Sequence, residues 1–205
     1  AKWPGVDQMG QALCGIEHEQ GGAPAGGHPS WYRFGMCDAT AGMLSVIGVL
    51  QALGHRDRTG EGQSVEANIL SGALLLASDA YIDADGTPHE PRHVDRHQTG
   101  FSDRYRLWET ADGGWIAVVA LADDEFARLQ QLVGTDLAAG FRTRSADDWY
   151  RTLDAAGCIV EIASIERGLT WYDEPDVVAN GWSVSYEHPV WRKFDQPGRF
   201  FEFSG

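Results

Sequence analysis

The chain has 205 residues, with 16 Lys and Arg against 30 Asp and Glu, a formal net charge of −14 divided evenly about Asp103 rather than gathered in a tail. An evenly acidic surface repels phosphate backbones and anionic lipid, which argues against nucleic-acid and membrane partners. With 43% hydrophobic and 22% charged residues, the composition is that of a packed protein of one or two domains, not of a disordered one.

The first elements are a short helix over 6–19 and a connector over 21–29, where Gly21, Gly22, Gly26 and Gly27 suggest flexibility. Residues 39–54 are apolar on nearly every face, the pattern of a buried helix. It is expected to stop at Gly54, with His55, Arg56 and Arg58 complementing its carboxyl end. Thr40, Ser45 and Gln51 interrupt the stretch, which is too short to span a bilayer. A glycine turn at 59–63 leads to a short strand over 64–68 and a second apolar helix over 69–84. Helix, turn, strand, helix is an α/β order of elements. Residues 85–103, polar and containing Pro88 and Pro91, read as a linker between a unit over 1–84 and another over 104–205.

In the second unit, β-rich runs over 105–110 and 115–121 flank Ala111-Asp112-Gly113-Gly114, a strong hairpin signal. Helices follow over 123–133 and from Ser145 to Ala156, the latter closed by Gly157. A short helix over 173–180 ends at Gly181, and 182–203 reads as two strands parted by His188-Pro189. Cys14, Cys37 and Cys158 form no CxxC pair, which fits a reducing compartment. The residues AKWPGVDQMGQ show neither the basic start nor the apolar run of a signal peptide. A soluble, cytoplasmic protein is expected.

His89, His93 and His97 recur every four residues, but Pro88 and Pro91 break any helix that would align them, so no metal site is assigned. His18 lies outside any HExxH pattern, and GxSxG, GxGxxG and Walker loops are missing from the sequence. Asp38, between Gly35-Met36-Cys37 and the apolar helix, allows two readings. It is an N-cap holding free N–H groups, or a carboxylate kept ionised by the helix dipole and so available as a nucleophile. Position alone leaves both open. Cys37 has no basic partner in view and reads as a small buried residue.

Gly35-Met36-Cys37-Asp38-Ala39-Thr40-Ala41-Gly42-Met43, then Leu53 and Arg56, then Arg58-Thr59-Gly60-Glu61-Gly62-Gln63-Ser64-Val65, resemble the family III coenzyme A transferases of the CaiB/BaiF type. Asp7, Gln11-Ala12 and Gly15 upstream are similar to the family's preceding helix. Downstream, Tyr105-Arg106-Leu107, Thr110-Ala111-Asp112-Gly113, Asp173-Glu174-Pro175 and Glu187-His188-Pro189 resemble its later segments. The resemblance implies part of a large α/β domain joined to a smaller α+β domain. It also implies an acyl-CoA:carboxylate CoA-transferase, with a CoA thioester and a carboxylic acid as substrates and Asp38 as nucleophile. In that scheme the aspartate forms a mixed anhydride, releases CoA thiolate, becomes an aspartyl-CoA thioester and passes CoA to the acceptor acid.

Family members are considerably longer, so the resemblance implies a fragment whose missing Rossmann-like half grips the CoA nucleotide. No cofactor-binding residue is therefore assigned within the chain. The family's glycine-rich shielding loop has no close counterpart, since 85–103 holds only Gly86 and Gly100, and Gln98-Thr99-Gly100 is expected in its region. Acyl-CoA racemases share the fold and pair the aspartate with a histidine expected upstream of Ala1, and with a Glu near Glu125 that is shifted here. The whole protein is expected to form an interlocked homodimer. A third expectation is a catalytically incomplete piece with a dimerisation role, its 39–54 helix bared by loss of the missing half.

Overall fold

The structure is a computed structural model that describes residues 5–164 and 171–204. Its mixture of helix and antiparallel sheet matches the expected fold class. The first part is helical: α1 (Asp7–Leu13), α2 (Ile16–Gln20), α3 (Met36–Thr59) and α4 (Ile69–Leu76). The single helix expected over 6–19 is two, because Gly15 takes a left-handed φ of 77° between them. The glycine connector after α2 is a tight turn, not a loose one. Gly27 N–H donates to the Gly22 carbonyl at 2.8 Å, and Ser30 N–H to the Glu17 carbonyl at 2.9 Å.

α3 departs most from expectation. It begins at Met36 and runs through Gly54 to Thr59, where Gly60 at φ 77° ends it and Arg56 and Arg58 face its carboxyl end. At 24 residues it is long and apolar enough to cross a bilayer by length and composition alone, so the expectation of too short a stretch does not hold. Nor is it a buried helix. Only Cys37 and Ala41 are buried along it, while Met43 is 69% and Leu50 62% exposed. Its small-residue side packs on α4 and its large aliphatic side is bare.

The strand expected over 64–68 does not form. That segment is extended, but no neighbouring strand pairs with it among the described residues. It runs back along α3, with Val65 against Gly48. α4 stops at Leu76, and Tyr81–Ile82 (β1) pairs with Pro88–His89 (β2) where the helix was expected to continue.

The second part is built on an antiparallel sheet of β3 (Gly100–Ser102), β4 (Tyr105–Glu109), β5 (Trp115–Val119) and β6 (Ile159–Ile162). The β4–β5 hairpin has the expected register, from Tyr105 opposite Val119 to Glu109 opposite Trp115. α5 (Asp123–Val133), α6 (Leu137–Phe141) and α7 (Ala146–Ala155) cover one face. Trp108, Ile116 and Val118 of the sheet meet Leu129, Phe141, Trp149 and Leu153 of the helices in one core. Ser145 caps α7 as expected, accepting the Asp148 N–H at 3.2 Å. α6 and β6 were not anticipated. Beyond the undescribed residues 165–170, a 3-10 turn (Trp171–Asp173) and α8 (Pro175–Ala179) stand where one short helix was expected. A last hairpin of β7 (Ser183–His188) and β8 (Arg192–Pro197) follows.

Candidate functional site

The start of α3 is set by side chains from α1. Gln8 Nε2 donates to the Tyr32 carbonyl at 2.9 Å, and Gln11 Nε2 to the Phe34 carbonyl at 3.3 Å. These bonds pin the segment that leads into Gly35, the residue before the first helical turn. Asp38 is therefore the third residue of α3 and not its N-cap, contrary to one of the two sequence readings. Its backbone N–H donates to Asp7 Oδ2 at 2.9 Å. Its carboxylate stands exposed and accepts no hydrogen bond among the described residues. A carboxylate exposed in a first turn with no hydrogen-bond partner is open to an incoming carbonyl.

Asp7 and Gln11 were noticed in the sequence only as part of a resemblance. Both are buried, Gln11 completely, and Gln11 Nε2 also donates to Asp7 Oδ1. α1, α3 and α4 converge beneath Asp38. A Cβ on Gly10 would meet Cys37 Sγ, Ala73 and Ile69, and Gly72 of α4 lies against the Cys37 carbonyl and Ala41.

Cys37 is fully buried. Burial first, then the charges of Asp7, Cys14 and Asp38, push its thiol above the ordinary range. It stays a protonated, packed thiol beside the exposed carboxylate, the role expected of it.

The three histidines have separate partners. His89 stacks on Tyr81 at 4.6 Å between ring centroids, with Nε2 2.6 Å from Asp83 Oδ2. His93 Nδ1 lies 2.5 Å from Glu19 Oε2, tying α2 to the segment after β2. His97 donates its backbone N–H to Asp95 Oδ1 at 2.8 Å. Glu125, the residue to be weighed as a racemase group, reaches back to accept the Ala122 N–H at 3.0 Å and closes the first turn of α5.

Two hollows flank these elements. One of about 680 Å³ lies where the α1–α2 turn meets the start of α3 and the end of α4, lined by Cys14, Ile16, Met36, Arg92 and Phe101 among others. Another of about 800 Å³ opens on the sheet, with Gln98, Thr99, Arg106, Trp108, Trp115 and Arg142 in its wall. Gln98-Thr99-Gly100 belongs to this second wall. Gln98 adopts φ 59°, and Asp95 holds the turn by accepting from Thr99 Oγ1 at 2.6 Å.

The sequence model of CoA-transferase family III matches residues 1–140. A succinyl-CoA:mesaconate CoA-transferase from Haloarcula hispanica is 26% identical over 95% of the chain and 51% of its own length. Human (Homo sapiens) alpha-methylacyl-CoA racemase is 29% identical over 54% of the chain and 29% of its own length. A CaiB/BaiF family protein from Brucella suis matches in structure with a TM-score of 0.69 at 18% identity, over 98% of the chain and 56% of that protein. The chain thus spans about half the length, or less, of the curated relatives it matches.

Proposed function

We propose a function from one premise: this chain belongs to CoA-transferase family III. It carries the nucleophile of an enzyme that moves CoA from an acyl-CoA to a carboxylic acid, and Asp38 is that nucleophile. The observation that carries the reading is the state of the Asp38 carboxylate, exposed and unbonded in the first turn of α3 while its own N–H is anchored to Asp7.

The chemistry runs in balanced steps. An Asp38 oxygen adds to the thioester carbonyl, the C–S bond breaks, and CoA leaves as thiolate from a mixed anhydride. The thiolate attacks the aspartyl carbonyl, releasing the donor acid and leaving an aspartyl-CoA thioester. The acceptor carboxylate then attacks that thioester, and the returning thiolate takes the acceptor acyl group and frees Asp38. Splitting one acyl transfer in this way is what a covalent nucleophile offers. Water must be kept out, or the anhydride hydrolyses.

The transferase is preferred to the racemase because a transferase relative aligns with nearly the whole chain and the racemase with about half, and because Glu125 is occupied in closing α5. A short dicarboxylic acid, as in the name of the Haloarcula enzyme, is the first acceptor to assay. A cytoplasmic, interlocked homodimer is part of the same proposal. The bare aliphatic side of α3 supports it, since such a surface is covered in a working protein. The net charge of −14 supports the absence of nucleic-acid and membrane partners.

The test is to incubate the complete gene product with acyl-CoA, trap with hydroxylamine and map the adduct. A hydroxamate on Asp38 and loss of CoA exchange in Asp38→Ala are expected. An adduct that survives Asp38→Ala refutes the assignment, and α-proton exchange with solvent in place of CoA exchange refutes the transferase.

A further inference from the structure

A helix led by glycine has no side chain of its own to accept the free N–H groups of its first turn. α3 is such a helix, since Gly35 supplies no capping bond. The acceptor comes instead from another helix. Asp7 Oδ2 takes the Asp38 N–H, the bond that an N-cap side chain makes to the third helical residue. Resting on the reading of Asp38 as nucleophile, we infer that Asp7 and Gln11 are positioning residues that fix where the Asp38 carboxylate stands.

The geometry says why the cap comes from elsewhere. A Cβ placed on Gly35 would lie 3.4 Å from Asp38 Oδ2 and 3.5 Å from Asp7 Oδ2, so both carboxylates border the volume that a local cap would fill. A serine or aspartate at position 35 would bring its side chain into contact with both carboxylates. With the cap supplied from α1, position 35 carries no side chain and the Asp38 carboxylate stays exposed.

Asp7 is itself held. It is only 8% exposed, and its second oxygen accepts from Gln11 Nε2, one helical turn on. The same Gln11 amide donates to the Phe34 carbonyl at 3.3 Å, joining Asp7 to the segment that enters α3. Its Oε1 is buried without a partner among the described residues, so the side chain commits its donor to this junction and leaves its acceptor unused. Asp7 touches neither Asp38's carboxylate nor the space in front of it through any hydrogen bond. It acts through the backbone, and reacting groups misplaced by about 1 Å can lose on the order of a hundredfold in rate.

The experiment compares wild type, Asp7→Ala and Asp7→Asn in the complete gene product, reading kcat, KM for acyl-CoA, and the rate of hydroxamate formation at Asp38. Asp7→Ala should lower kcat and hydroxamate formation together by about tenfold to a hundredfold, with KM within about twofold. Asp7→Asn should recover most of the rate. Its carboxamide oxygen still accepts the Asp38 N–H, and its NH2 can donate to a turned Gln11 amide at the expense of the Gln11 bond to the Phe34 carbonyl. Should Asp7→Ala fail to fold, the asparagine variant decides alone: a rate within about threefold of wild type is expected, and a folded variant that has lost the rate overturns the inference. An unchanged kcat in folded Asp7→Ala overturns it too, while Asp38 labelling in wild type leaves the nucleophile standing. If wild-type Asp38 takes no label, the parent reading falls and this one with it.

Discussion

The junction of α3 and α4 beneath Asp38 should not tolerate one methyl group. A Cβ at Gly72 would sit 2.5 Å from the Cys37 carbonyl oxygen and 2.9 Å from the Ala41 nitrogen, both backbone atoms that no rotamer change can clear. Ordinary contact begins near 3.4 Å, so Gly72→Ala must part the two helices by about 1 Å, an overpacking worth about 1–3 kcal/mol. Alanine in a helix returns about 0.5–1 kcal/mol relative to glycine. The net is a loss of about 0–2.5 kcal/mol, centred a little above 1, or a fall in Tm of up to about 10 °C for a chain of this size. Gly42 of α3 is the control, because it is exposed and nothing lies within 4 Å of its Cβ position. Gly42→Ala should raise stability by about 0.5–1 kcal/mol. Thermal and urea unfolding of the two variants side by side measures the difference. Equal stabilisation by both would refute the close approach of α4 to the start of α3.

Three further outcomes are expected. Glu19 first, through its bond to Nδ1, and then Glu90 raise His93 above its ordinary value of 6.5. The stability His93 adds is therefore full below pH 6.5 and is lost as pH rises through the higher folded value, and His93→Gln should flatten that upper limb of a stability–pH curve. An unchanged slope would show that the limb belongs to other groups. Val46→Lys with Leu50→Lys, on the bare side of α3, should reduce self-association of the 205-residue chain in sedimentation velocity without lowering its helical circular dichroism. Unaltered association would place the contact elsewhere. Trp149 is 2% exposed and its indole donates to the Phe141 carbonyl at 2.9 Å, so Trp149→Phe should cost about 1–3 kcal/mol in urea unfolding by leaving that carbonyl unpaired. A midpoint that does not move would deny the bond any weight.

Local signals carried the second half of the chain well. The Asp112-Gly113 turn, the Ser145 cap and Gly157 at φ 72° each specify geometry within a few residues, and the hairpin and helices they bound form where the sequence puts them. β6 escaped because Ile159–Ile162 is short and includes Glu161, and its strand character comes from pairing with β5, some forty residues earlier. The strand expected over 64–68 failed for the same reason in reverse. Its residues suit an extended backbone, but a strand is made by a partner.

The site was legible only in part. A carboxylate before an apolar helix marked Asp38, yet no local rule could show that its N–H is held by Asp7, because that bond joins residues 31 apart and depends on how α1 packs. The same limit explains α3. Apolar character on every face says that the helix is to be covered, but not by what. Met43, Val46, Ile47, Leu50 and Leu53, exposed on α3, recur at spacings of three and four and so form one stripe about 15 Å long. A stripe of that length suits a facing helix or sheet rather than a small ligand. What reads in the sequence as an inner helix is, among the described residues, a helix whose large aliphatic side is bare.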